Sequence, residues 1–171
     1  KPTGWSNDRR EPVASPEHAV ILPSRQQSSG RGKRRLIDLL DIRYVRLGTP
    51  DLAAADHFAR DVLGLELVRV EAGAHYYRSD DRDHTLVYFE GDPSDHTVGF
   101  ELRTADALEQ AATELGNRGV EVRAGTPDEC EQRHVQAFVQ FRDPTGNQIE
   151  LVVGPHHSGR RYFPSRDAGI T

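Results

Sequence analysis

A chain of 171 residues is long enough for one well-cored domain and short for two. Its hydrophobic content of 36% and mean hydropathy of -0.67 are low for a fully packed fold, so part of the sequence is expected to lie outside the core. Charge divides unevenly: residues 1–35 carry 8 basic and 3 acidic side chains, and the remainder carries 14 basic and 24 acidic ones, which argues against a nucleic-acid surface on the folded part.

The first 35 residues are rich in Pro, Ser, Gln and Arg, and "AVIL" is their one apolar run. Such a segment buries too little surface to offset its ordering entropy, so residues 1–35 are read as a disordered or non-native arm. "AVIL" is also shorter than the ~7–15 apolar residues of a secretory signal. With no membrane-spanning run, the protein is expected to be cytoplasmic. Cys130 is the single cysteine, which rules out an internal disulfide. The sequence has no Met and begins with Lys, as a piece of a longer reading frame would.

From residue 44 the pattern becomes regular. Tyr44, Val45, Arg46 and Leu47 alternate as a strand. Thr49-Pro50-Asp51 then supplies a helix cap, a first-turn proline and an early acid. Leu52, Ala55, Phe58, Ala59, Val62 and Leu63 recur at helical spacing up to Gly64, which predicts one amphipathic helix with these residues on its buried face. Strands are predicted over 65–70, 75–79 and 85–90, separated by "EAGA" and "DDRD".

A second copy follows. It has a strand over 97–102, a helix capped by Thr104 and carrying Leu108, Ala111, Ala112 and Leu115, and a strand over 120–122. Two more strands, "HVQAFVQF" and "NQIELVV", are joined by the turn sequence Asp143-Pro144-Thr145-Gly146. The weak internal repeat thus predicts an α+β fold of two βαβββ modules, at about 40–90 and 95–154, paired into one curved mixed sheet. Helices would cover its convex face and leave a concave cup.

The segments "IRYVRLGTPDLAAADHFARDVLGLEL", "YYRSDDRDHTLVYFE", "HTVGFELRTADALEQAATELGNRGVEV" and "FRDPTGNQIEL" resemble the vicinal oxygen chelate superfamily of glyoxalases, bleomycin-resistance proteins and type I extradiol dioxygenases. "YYRSDDRDH" and the trailing "RYFPSRDAGIT" are most similar to the dioxygenases, the latter to the connector between their non-catalytic first domain and iron-bearing second domain. The resemblance therefore implies a vicinal oxygen chelate domain over residues 36–154 and a connector over 155–171 leading to a missing C-terminal catalytic domain. Expected partners are that domain, further copies of the chain in a homo-oligomer, and an aromatic small molecule.

The resemblance also implies where metal ligands would stand. Such enzymes hold Fe(II), or Mn(II), with two His and one carboxylate facing the cup. The matching positions here are Tyr44, Thr97 and Glu150. His96 cannot substitute for Thr97, because neighbouring strand side chains point to opposite faces and His96 shares its face with Val98, Phe100 and Leu102. One carboxylate with a phenol and a hydroxyl is a poor redox-metal site, so no catalytic residue, metal or cofactor is expected in this chain, with iron or manganese supplied by the missing domain. Glu150 is then a remnant or a polar group bonded within the cup.

The remaining histidines read as structural: His57 on a polar helix side, His75 and His84 at strand edges beside acids, and His134 starting a strand. Acids around Cys130 are expected to raise its pKa. Two rival readings stand beside the dioxygenase domain. One is a dimeric bleomycin-resistance-type protein holding a flat ligand against Tyr44 and Tyr88; the other is a divergent glyoxalase-like metalloenzyme using Glu150.

Overall fold

The computed structural model describes residues 36–163; the arm expected over 1–35 and the end of the connector at 164–171 lie outside the described residues. The first module runs β1 (Asp41–Thr49), α1 (Leu52–His57), β2 (Glu66–Glu71), β3 (Ala74–Arg78) and β4 (Leu86–Glu90). The second runs β5 (His96–Glu101), α2 (Ala105–Gly116), β6 (Arg123–Ala124), α3 (Pro127–Arg133), β7 (Val135–Arg142) and β8 (Gln148–Pro155). The eight strands form one sheet in the order β2-β3-β4-β1-β5-β8-β7-β6.

Within each module the first strand runs parallel to the last, β1 to β4 and β5 to β8, and the modules join where β1 and β5 pair antiparallel. The expected pair of βαβββ units is therefore present, and the α+β class with its curved, unclosed mixed sheet follows from it. Alternation sets the two faces. Leu151 and Val153 of β8 and Val139 of β7 pack with Leu108, Ala111 and Leu115 of α2 in the convex core. Val152 and Phe138 point to the other face, beside Tyr44. Thr104 caps α2 by accepting from Ala107 N at 3.1 Å, as the sequence indicates.

Four details differ from the sequence reading. Thr49 stays in β1, paired with Glu90, so the cap of α1 moves to Asp51, which accepts from Ala54 N at 2.9 Å. After His57 the helix widens over Phe58–Val62, with Leu63 N donating to Phe58 O at 3.0 Å, before Gly64 ends it at φ 74°. The wider turn changes the helical phase. Ala59 is fully buried, whereas Phe58, Val62 and Leu63 are 45%, 56% and 49% exposed instead of facing the core.

The strand expected at 120–122 forms later, at Arg123–Ala124, and Val120 and Val122 instead pack against the α2 core. The largest difference is α3, which the sequence reading left out. Thr126 accepts from Glu129 N at 3.3 Å while the Glu129 side chain accepts from Thr126 N at 2.8 Å, a capping box with Pro127 in the first turn. The signal was present as "TPDE". This helix lies on the concave side, where Tyr76 donates to Gln132 O at 2.9 Å and Cys130 packs against the cluster of Tyr44, Val135, Phe138 and Val152.

After β8 the chain crosses to the first module. Arg78, only 1% exposed, donates to Glu66 at 2.8 Å, to Ser158 Oγ and Arg160 O at 2.9 Å, and to Arg161 O at 2.7 Å. One guanidinium thus fastens residues 158–161 to the end of β3.

Candidate functional site

Register decides which cup-facing side chains can meet. Tyr44 of β1 stands opposite Gly99 of β5, and Gly99 opposite Glu150 of β8, so these three form one row across the middle of the cup. Gly99 leaves the space that the Tyr44 ring fills: a Cβ there would lie 2.6 Å from Tyr44 Cε2. The Tyr44 hydroxyl can then reach across β5 and donate to Glu150 Oε2 at 2.6 Å. Thr97 is buried and faces the same way, but it falls in the next row, between Arg46 and Gln148. Of the three candidate positions, Tyr44 and Glu150 are brought together and Thr97 is set apart.

The partner that sequence reasoning missed is Arg133, in the last turn of α3. Its Nε donates to both Glu150 oxygens at 2.9 Å, and its Nη2 donates to Oε1 at 2.7 Å. Glu150 is 0% exposed and Arg133 8%, so this is a buried ion pair with fork geometry. The guanidinium also lies over the Phe138 ring, 4.4 Å from its centroid. Burial opposes the charge on Arg133, but the Glu150 carboxylate outweighs it and raises the arginine's pKa. Burial, then the charge of Glu150 and its hydrogen bond, push the Tyr44 phenol well above its ordinary value and keep it a donor.

These residues do not fit a metal. A divalent cation needs the lone pairs of the carboxylate free for it, and here both oxygens accept from a fixed cation and one also accepts from a phenol. The guanidinium occupies the space in front of the carboxylate. No group of three or more His, Cys, Asp and Glu converges on a common point among the described residues.

A second cluster lies beside the row. His84, placed by the sequence reading at a strand edge, is 1% exposed and stacks on Tyr44, with ring centroids 5.3 Å apart. Tyr76 and His134 meet it edge-on. Its Nδ1 faces Asp83 Oδ2 at 2.9 Å, and Asp83 also accepts from Arg69 Nη1 at 2.9 Å. Burial lowers the imidazole pKa to about 4 despite the opposing pull of Asp83, so the ring is neutral at pH 7. Asp83 lies well below the usual carboxylate range; burial works the other way, and the His84 and Arg69 hydrogen bonds prevail. His134 does not start β7 but caps α3 in the left-handed region, at φ 52°.

Two other expectations change. Tyr88 faces α1, edge-on to Tyr77, whose hydroxyl donates to Asp56 at 2.8 Å, so it cannot share a ligand with Tyr44 in the cup. The Cys130 thiol has a raised pKa, but burial is the main cause and the acids are minor. His57 and His96 are exposed, bonded to Asp61 at 2.6 Å and Asn147 at 2.9 Å. No helix among the described residues is long and apolar enough to cross a membrane.

Comparison with known proteins agrees with this fold. An iron-dependent extradiol dioxygenase of Rhodococcus jostii (strain RHA1) is 30% identical over 127 residues, covering 73% of this chain and 42% of that protein. A biphenyl-2,3-diol 1,2-dioxygenase of Pseudomonas sp. (strain KKS102) is 31% identical over 113 residues, covering 66% of this chain and 39% of that protein. Among solved structures, a halotolerant catechol dioxygenase superposes with a TM-score of 0.69 at 26% identity, covering 75% of this chain and 44% of its own. The chain thus spans less than half the length of these relatives. The profile of the Glyoxalase/Bleomycin resistance protein/Dioxygenase superfamily matches residues 41–151, the stretch that forms the two paired modules, and the chain belongs to that superfamily.

Proposed function

We propose that residues 36–163 form the N-terminal, non-catalytic domain of an extradiol dioxygenase acting on a catechol or biphenyl-like diol in aromatic degradation. The observation that carries this reading is the Arg133–Glu150 pair: the centre of the cup, where the superfamily's metal chemistry takes place, is filled by a guanidinium delivered by α3. Its partner in a longer chain would be a second pair of βαβββ modules holding Fe(II) or Mn(II) on two His and a Glu, with the acid-base groups and the aromatic substrate. This domain would act by packing against that half and by building a homo-oligomer.

The exposed apolar side chains support a covered surface. Leu39, Leu40 and Ile42 at the entry to β1, and Phe58, Val62 and Leu63 at the end of α1, are each at least 43% exposed. The dimeric binding-protein reading loses support from Tyr88, which turns away from the cup.

The test is to purify this chain and one extended past Thr171 along its reading frame, then measure bound metal and catechol-dependent O₂ uptake. The extended chain is expected to hold about one iron or manganese ion and consume O₂, while this chain does neither. Stoichiometric metal in this chain, lost on Glu150→Ala, would overturn the reading.

A further inference from the structure

We infer that the row of cup-facing side chains next to Tyr44 and Glu150 is a binding site for a small organic carboxylate. In register across four neighbouring strands stand Arg46 of β1, Thr97 of β5, Gln148 of β8 and Arg142 of β7. All four line one cavity of about 410 Å³, together with Phe89 and Arg133. That volume suits a small molecule and is too small for a folded partner's surface.

Arg46 points independently to an anionic ligand. It is 8% exposed, its Nη1 is buried without a hydrogen-bond partner, and no carboxylate among the described residues lies within ion-pair distance of it. Its guanidinium carbon lies 5.4 Å from the centroid of the Phe89 ring, and on another side Arg46 lines a second cavity with Glu90 and with Glu71, the latter paired with Arg69 at 3.5 Å. A buried guanidinium left without an anion is unfavourable, and its planar fork matches a carboxylate with two parallel hydrogen bonds.

The other charges on the cavity do not cancel it. Arg133 is neutralised by Glu150, and Glu129 is taken up by Arg123 at 2.7 and 2.9 Å and by Thr126 N. Asp95 and Arg142, of opposite charge, both line the exposed rim, where Arg142 donates to Gly146 O. The balance left inside is the positive charge of Arg46. Thr97 supplies a hydroxyl and Gln148 a carboxamide beside it, and Phe89 supplies an aromatic wall for the body of the ligand. This assignment concerns the chain's own cup and does not depend on whether a catalytic domain follows.

The test is titration of the full 171-residue chain with benzoate, followed by amide NMR, with benzamide and inorganic phosphate as separate probes. Benzoate is expected to bind saturably and shift the amides of Arg46, Thr97 and Gln148. Benzamide, of the same shape without the charge, should bind at least roughly tenfold more weakly, and phosphate more weakly than benzoate. Arg46→Gln should weaken benzoate roughly tenfold or more while keeping a folded spectrum. Should it fail to fold, Arg142→Gln at the exposed rim should still weaken binding severalfold. Absence of saturable binding, equal binding of benzamide, tighter binding of phosphate, or indifference to both substitutions would overturn the assignment. So would an Arg46-dependent dimer in sedimentation without benzoate binding, which would make the occupant a carboxylate of a second copy.

Discussion

Replacing Arg133 by Met leaves the Glu150 carboxylate in a site with no solvent contact and one remaining donor, the Tyr44 hydroxyl at 2.6 Å. Three of its four N–H or O–H contacts come from the guanidinium and disappear together. Removing one partner of a buried ion pair costs about 3–5 kcal/mol, because the charge left behind keeps its desolvation penalty and loses its compensation. With an unfolding entropy of ~2.1 cal/mol/K per residue, a domain of this size should lose roughly 10–20 °C in Tm. Urea denaturation followed by circular dichroism gives the free energy directly. The double variant Arg133→Met/Glu150→Leu removes both charges and fills the space, so it should recover most of the loss, to within ~1–2 kcal/mol of the parent. Arg133→Met costing under ~1 kcal/mol would show that the pair is not a buried, coupled unit. A double variant as unstable as the single one would show that the packing of α3, and not the charge, fills the cup.

Three further outcomes follow from the same geometry. With its pKa near 4 in the folded state, His84 stays neutral while the unfolded chain takes up a proton near pH 6.5, so stability should fall as pH drops from 6.5 to 4. At 1.36 kcal/mol per pH unit the loss attributable to His84 is about 3 kcal/mol; His84→Phe should flatten that window in urea titrations, and an unchanged slope would refute the neutral buried ring. Gly99→Ala should cost ~1–3 kcal/mol by driving a methyl group into the fixed Tyr44 ring, whereas Gly116→Ala, where nothing lies within 4 Å at the end of α2, should be neutral or stabilising. Arg78→Ala should release the segment that crosses to the first module. Amide exchange at Tyr162 and Phe163, whose N–H groups bond Asp81 and Glu66 at 2.9 Å, is expected to rise at least roughly tenfold, while β1 and β8 stay protected.

The paired modules were legible in the sequence because strand and helix periodicities are local: alternation around Tyr44 and Glu150, the Thr104 cap and the Gly64 stop each depend on neighbours within one turn or one strand. Alternation also places Tyr44, Thr97 and Glu150 on one face of the sheet, since face is a property of parity along the strand. Register across strands is not local. Which of those three would meet was decided by the pairing of β1 with β5 and β5 with β8, which puts Gly99 between Tyr44 and Glu150 and moves Thr97 to the row of Arg46. The occupant of the cup was likewise a tertiary matter. "TPDE" can announce a helix, but no sequence period says that its last turn will carry Arg133 to a carboxylate seventeen residues away and bury both. A buried charge becomes stable only when a partner arrives from another element, and that arrival is fixed by the packing of the whole sheet.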